Sequence, residues 1–219
     1  MARLFNGSTD WLNKGGAVLT AIPMTFSCWF TIEGSPSYSV PIGLGDNTSN
    51  GTPAIQIIYE SSDDFIHAEY AMSSADDDSA AANTVVTHFT WHHAAAVFAG
   101  PASRSCYLDG GSKVTSTVNV TAAGTLNETR LGNMALNLTG FSLLGQLAFT
   151  EIWSAALTDP EILALSQGIS PKLIRPASLF SYVRMSGGNS PEPDFCLGRG
   201  GWSVVGSPTF STNPRIFGP

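Results

Sequence analysis

Met24-Thr-Phe-Ser-Cys-Trp-Phe-Thr-Ile32 places Phe26, Cys28, Phe30 and Ile32 at every second position. Apolar side chains at a period of two mark a half-buried β-strand. Signals of the same kind recur outward from this stretch about every ten residues, separated by clusters of Gly, Pro, Asn and Asp. Residues 54–59 and 64–71 read as a hairpin around the turn-rich 60–63. Residues 90–98 break at Ala99-Gly-Pro101, and 104–108 turn at Asp109-Gly-Gly111, where Asp-Gly suits the positive φ of a tight hairpin. Residues 113–120, 130–133 and 141–152 continue the series. One helix is predicted. Thr158-Asp-Pro-Glu161 has the form of a capping box with Pro160 in the first turn, Ile162, Leu163 and Leu165 follow, and Gly168 stops it. About two turns are too few to stand alone, so this helix is expected to pack as a clip on a sandwich.

Composition agrees with that reading. With 22 Gly and 13 Pro in 219 residues the chain is too rich in turn formers for a helical bundle. Its 43% apolar content fills a core, which a disordered chain could not do. No run of 18 apolar residues offers a membrane span. The N-terminus lacks the apolar stretch of a secretory signal, so export by that route is not expected. Cys28, Cys106 and Cys196 are odd in number and far apart, which predicts free thiols rather than a disulfide framework or a zinc site.

Charge is unevenly distributed. Residues 1–110 carry eleven acids and three bases, net −8, and residues 111–219 six acids and seven bases, net +1. The overall −7 disfavours nucleic acid as a partner, since binding it requires neutralising phosphates. An acidic body with a basic tail suits head-to-tail self-association or docking on an acidic protein surface. The texture changes after Ser170. One more strand fits 178–184, 186–193 reads as loop, and the short extended pieces 202–205 and 208–210 lead to a Pro-bearing end. The expected organisation is therefore a sandwich over 1–170, closed by a strand to about 185. Residues 171–219 follow as a C-terminal strand and an extended arm that can lie along a neighbour.

Three pieces in fixed order carry a family resemblance: Phe26-Ser-Cys-Trp-Phe30; Trp91-His-His-Ala-Ala-Ala-Val-Phe98 with Arg104-Ser-Cys-Tyr-Leu-Asp-Gly110; and Gly145-Gln-Leu-Ala-Phe-Thr-Glu-Ile-Trp153 running into the capped helix. Over about residues 3–185 the chain resembles laminin-G-like, concanavalin A-like domains. The resemblance implies an all-β, two-sheet antiparallel jelly-roll sandwich with one short helix. The tail pieces Gly168-Ile-Ser-Pro171, Ile174-Arg-Pro176, Leu179-Phe-Ser-Tyr182 and Asn213-Pro-Arg-Ile216 are similar to the C-terminal stretch of laminin-G-like proteins encoded by tailed bacteriophages. That likeness implies a virion component, made in the host cytoplasm.

This frame limits the chemistry the chain can carry. Glucanases of the same fold resemble an enzymatic alternative, but the chain has no Glu-x-Asp-x-x-Glu strand, so the paired carboxylates of a glycosidase are not expected and neither is catalysis. His92 and His93 are adjacent on a strand and point to opposite faces, which argues against one shared ion. A calcium site, implied by the family likeness, would use Asp46 and Asn47 in a rim loop over 43–50, with Asp76-Asp-Asp78 as a second acidic loop. Trp11, Trp29 and Trp202 are the candidate surfaces for stacking a sugar.

The leading expectation is a non-enzymatic bacteriophage capsid decoration protein. It would attach to the major capsid or another virion protein, or to sister copies in a homo-oligomer, through sandwich edges and the arm. Trp202, Phe210, Arg215 and Phe217 are the expected partner contacts. Deleting 186–219 is then expected to leave a folded but unattached domain. The alternative is a carbohydrate-binding, lectin-like adhesion module for surface glycans, with or without calcium.

Overall fold

The computed structural model describes residues 1–73, 75–121, 124–185, 190–196 and 198–214. In chain order its strands are β1 (Ala2–Asn6), β2 (Trp11–Asn13), β3 (Met24–Phe30), β4 (Tyr38–Gly45), β5 (Ala54–Glu60), β6 (Phe65–Ser73), β7 (Asp76–Ala81) and β8 (His92–Gly100). There follow β9 (Ser103–Leu108), β10 (Gly111–Ser116), β11 (Glu128–Leu131) and β12 (Leu144–Trp153), then the helix α1 (Asp159–Ser166). The chain closes with β13 (Leu179–Val183), β14 (Ser203–Val205) and β15 (Thr209–Ser211).

They form two antiparallel sheets. The eight-stranded sheet runs β10-β9-β8-β3-β12-β1-β15, with β13 sharing the edge of β12. The seven-stranded sheet runs β14-β2-β11-β4-β5-β6-β7. The alternation in residues 24–32 does what its period predicts: Phe26, Cys28, Phe30 and Ile32 are fully buried between the sheets. They meet Ile55, Ile57, Tyr59 and Ile66 from the opposite layer, so the two inner faces interdigitate as in other sandwiches. Cys28, Cys106 and Cys196 are free thiols.

The helix forms where its capping signals stand. The Thr158 amide donates to Glu161 Oε2 at 2.7 Å, and Gly168 takes φ +83° beyond the last turn. Ile162 and Leu165 pack on Ala95, Val97, Tyr107 and Trp153, so α1 clips the outer face of the eight-stranded sheet.

Two expectations change here. Residues 76–78 are part of strand β7, not an acidic loop. The tail is not a free arm either. β14 pairs with β2 in one sheet and β15 with β1 in the other. Between them Trp202 is wholly buried in the main core, its backbone exchanging hydrogen bonds with Glu192 at 2.7 and 2.8 Å. Arg3 meets Glu192 at 2.6 Å, both buried, and Asp194 accepts from the Ser181 hydroxyl at 2.6 Å and the Cys196 amide at 3.0 Å. The physical reason is polar satisfaction: the tail brings the carboxylates that the Arg3 guanidinium and the β13 backbone need once buried. The tail sews the two sheets together.

Candidate functional site

The outer face of the seven-stranded sheet is half roofed. Along β5, Ile55, Ile57 and Tyr59 face the core, so Gln56, Ile58 and Glu60 face out; in β6 the same alternation sends His67 and Glu69 outward. The segment between β11 and β12 folds down onto this face. Met134 and Leu136 cluster with Val40, Ala54 and Ile58, with Leu138 and Phe141 packed against them. Two glycines of β4 permit the approach: a Cβ on Gly45 would lie 2.5 Å from the Ala135 carbonyl oxygen, and one on Gly43 would lie 3.1 Å from that of Asn133. Arg130 holds the segment down, donating to the Met134 and Leu136 carbonyls at 3.0 Å each.

Beside this roof lies a cleft of about 390 Å³, lined by Tyr38, Phe141, Glu60, Glu69, Asp77 and Asp78 among others. The Tyr38 and Phe141 rings sit 5.1 Å apart at 30°, and Tyr38 is exposed. Glu69 Oε2 accepts from Gln56 Nε2 at 2.9 Å. Burial raises the Glu69 carboxyl above the usual range, and the neighbouring charges of Glu60 and Asp77 push the same way. The buried Gln56 Oε1 has no protein partner. Asp78 is paired with the buried Arg104. Among the described residues that line the cleft, none is Lys or Arg. Such a surface can stack a flat apolar ring face on aromatics and accept hydrogen bonds from hydroxyls. It repels anions.

The residues singled out in the sequence have scattered positions. Asp46 Oδ1 accepts from the Thr48 amide at 3.0 Å, the Thr48 hydroxyl at 2.6 Å and Asn127 Nδ2 at 2.6 Å, which holds its pKa below the ordinary value. Asn47 donates its side-chain amide to Glu128. The structure thus uses the pair to close a turn, and among the described residues no three His, Cys, Asp or Glu converge as metal ligands. Trp202 loses its expected role as a partner contact, because its own fold covers it completely. Phe210 is exposed on edge strand β15, with the Arg3 guanidinium 5.4 Å from its ring centre. Arg215 and Phe217 lie outside the described residues.

Trp11 is half-buried under Arg130, 5.5 Å from its ring centre. His92 Nδ1 lies 2.7 Å from Asp109, whereas His93 Nε2 lies 2.9 Å from Ser27 Oγ, so the neighbours do serve separate places. Of the cleft acids the sequence marks only Asp77 and Asp78, as a loop, and does not join Glu60 and Glu69 to them, because no single strand carries a run of carboxylates. Three strands supply them, and the outward alternation of Gln56, Ile58 and Glu60 opposite Glu69 was the available signal.

Comparison with known proteins bears on this geometry. The family model described as the concanavalin A-like lectin/glucanases superfamily matches residues 6–163. No curated protein matches the chain in sequence. Among solved structures, a putative carbohydrate binding protein from Bacteroides ovatus superposes with a TM-score of 0.65 at 13% identity, covering 94% of this chain and 60% of that one. The heptameric SAP-like pentraxin from Limulus polyphemus gives 0.61 at 14%, covering 85% and 92%. Domain 4 of AbnA, a GH43 extracellular arabinanase from Geobacillus stearothermophilus in complex with arabinotriose, gives 0.59 at 16%, covering 75% and 76%. At these identities the likeness is one of fold.

Proposed function

The chain belongs to the concanavalin A-like lectin/glucanases superfamily, and from that premise we propose that it is a non-enzymatic carbohydrate-binding module holding a neutral glycan in the cleft on its seven-stranded sheet. The observation that carries this reading is the cleft itself: an exposed Tyr38 against a half-buried Phe141, beside Glu60, Glu69 and Asp77, with no cation among the described lining residues. A pyranose or furanose ring offers an apolar C–H face to the aromatics and hydroxyl donors to the carboxylates. Sialylated or sulfated glycans are repelled by the same carboxylates. The carbohydrate-binding protein and the arabinotriose-bound domain among the structural neighbours support the class of ligand.

Register keeps Glu60 and Glu69 from acting as a catalytic pair. Glu69 pairs with Gln56, while Glu60 pairs with Phe65, four residues along the ladder. That places them roughly 13 Å apart along the strand, beyond the separations of about 5–9.5 Å that glycosidases use. Asp77, diagonal to Glu69 across β6 and β7, is about 7–8 Å from it and inside that range, so the Glu69→Gln variant decides between binding and hydrolysis there. Titration calorimetry with a neutral oligosaccharide such as arabinotriose, alongside an array of neutral and sialylated glycans, tests both parts. Binding confined to neutral glycans and weakened in Tyr38→Ala is expected, and a chelator should leave it unchanged. Binding to no neutral glycan would overturn the reading, and release of reducing sugar that stops in Glu69→Gln would replace it with a hydrolase.

The phage-like pieces of the tail favour a second reading, a module carried on a virion as a decoration. With the tail sewn into both sheets, attachment would run through edge strands such as β7, β10, β14 and β15, not through a free arm. Co-purification with particles at hundreds of copies each would support it; absence from purified particles would reject it.

A further inference from the structure

The other outer face holds a polar cluster that packing does not explain. On the eight-stranded sheet, Ser27 from β3, His93 from β8 and Glu151 from β12 point away from the core beneath α1 and the segment after it, and all three are buried. Their neighbours on the same face, Ala95, Val97 and Trp153, form an apolar layer under the helix. A purely structural role would continue that layer, since a buried polar atom without a partner loses its hydration and gains nothing in return. Here His93, 1% exposed, has an Nδ1 with no hydrogen-bond partner.

These residues border a pocket of about 260 Å³ whose walls include Trp29, His93, Phe149, Glu151, Ile169 and Tyr182. Phe149 stands in a β-bulge of β12, where the register with β3 shifts between Ala148 and Glu151, and it takes φ +47°. A bulge of this kind re-aims a side chain, and a bulky residue in the left-handed region is strained; both features concentrate at functional sites.

We propose that this pocket is a second binding site, separate from the cleft on the opposite sheet, for a single neutral ring that carries a hydroxyl. Size limits the guest: the volume lies below the roughly 300–1,000 Å³ of drug-sized pockets, so one ring enters and an oligosaccharide does not. Charge limits it too. Burial pushes His93 down to about 4, so it is neutral at pH 7, and the same burial raises Glu151 and disfavours its charged form, so the pocket is a poor host for a charged guest. Hydrogen bonding selects the hydroxyl. Ser27 Oγ lies 2.9 Å from His93 Nε2 and also hydrogen-bonds Glu151. The relay can run in either direction, so Nδ1 presents a lone pair in one state and an N–H in the other. A hydroxyl satisfies both states. Trp29 and Phe149 supply faces for the ring. The cluster is not a hydrolytic triad, because the carboxyl group bonds the serine and not His93 Nδ1.

The test follows the His93 imidazole nitrogens by 15N NMR, assigned with His93→Gln, as methyl β-glucoside and phenol are added separately to the whole protein. A saturable shift of Nδ1 with at least one probe is expected, and the probe that causes it distinguishes a sugar ring from an aromatic alcohol. Ile169→Trp should fill the pocket and abolish the shift while leaving oligosaccharide binding on the other sheet unchanged. Phe149→Gly suits the positive φ, so it should fold and should weaken the probe about tenfold, or ~1.4 kcal/mol. No response of Nδ1 to either probe would overturn the proposal, as would an undiminished response in Phe149→Gly. Loss of oligosaccharide binding alone would overturn only the reading of the opposite cleft.

Discussion

The two sheets have matching inner faces and opposite outer ones. On the seven-stranded sheet the outer face carries Glu60, Glu69 and Asp77 beside an open aromatic pair, roofed only in part by the segment around Met134 and Leu136. On the eight-stranded sheet the outer face is covered by α1, and its polar groups Ser27, His93 and Glu151 are buried, which lowers the His93 pKa to about 4 and raises that of Glu151. Burial raises a carboxyl on each face, Glu69 beside the partial roof and, further, Glu151 under α1. The cover laid over a sheet, more than the sheet, decides what its outward residues can do, because the cover sets their solvation.

The largest change would remove what joins the faces. Truncation after Met185 takes away β14, β15, Trp202 and the carboxylate bound by Arg3. Loss of a buried Trp side chain costs about 3–5 kcal/mol, and breaking a buried ion pair a similar amount. Together these approach the whole stability of a domain, about 5–15 kcal/mol. Circular dichroism should show a truncated chain without a cooperative thermal transition; a sharp one near the wild-type midpoint would restore the free-arm picture.

Next in size is an attack on the partial roof. In Gly45→Val the side chain meets the Ala135 carbonyl at the 2.5 Å approach of its Cβ. The overpacking should cost about 1–3 kcal/mol in urea unfolding and abolish oligosaccharide binding, without altering the His93 resonances on the other sheet.

The closed face is probed by pH. An unfolded histidine binds its proton near 6.5 but His93 only at about 4, so stability falls as pH drops through that window. Glu151 acts in the opposite sense. Its folded pKa lies well above 4.5, so its penalty is absent below the unfolded value and grows as pH rises toward the folded one. Relative to wild type, the urea midpoint of His93→Gln should therefore climb as pH drops from about 6.5 to 4. Glu151→Gln should gain stability at neutral pH and lose that gain on acidification. Parallel pH profiles for all three proteins would show that this face is not the dry one described.

Smaller still, Tyr38→Ala should weaken oligosaccharide binding by about 0.5–1.5 kcal/mol, the worth of one aromatic contact, at unchanged melting temperature. Asp46→Ala should alter neither glycan affinity nor its insensitivity to chelator, since the Asp46 carboxylate is spent on closing a turn and does not line the cleft. A chelator-sensitive affinity lost in Asp46→Ala would return calcium to the account.

Much of the fold was legible because it is local. Alternation in 24–32, the Asp109-Gly turn and the Thr158–Glu161 box each need only neighbouring residues, and all three formed as read. β1, β2 and β4 carry weak signals: the first two are only five and three residues long and owe one partner each to the distant tail, and β4 is interrupted by Pro41 and by glycines whose purpose is the segment packed above them. Asp76–Ala81 looked like a solvated loop because three acids mask a strand whose alternate residues face different environments. Trp202 was a surface candidate for want of any local sign that the tail returns to both sheets.

By itself the amino-acid sequence determined the two-layer sandwich, its capped helix and the free thiols, since periodicity and capping are settled over a few bonds. Tertiary structure alone decided which carboxylates share a cleft, which histidine lost its solvent, and that the tail belongs to the core. Those outcomes depend on strands far apart in the chain meeting in register. Desolvation and like-charge proximity, which set what a side chain can do, exist only after they have met.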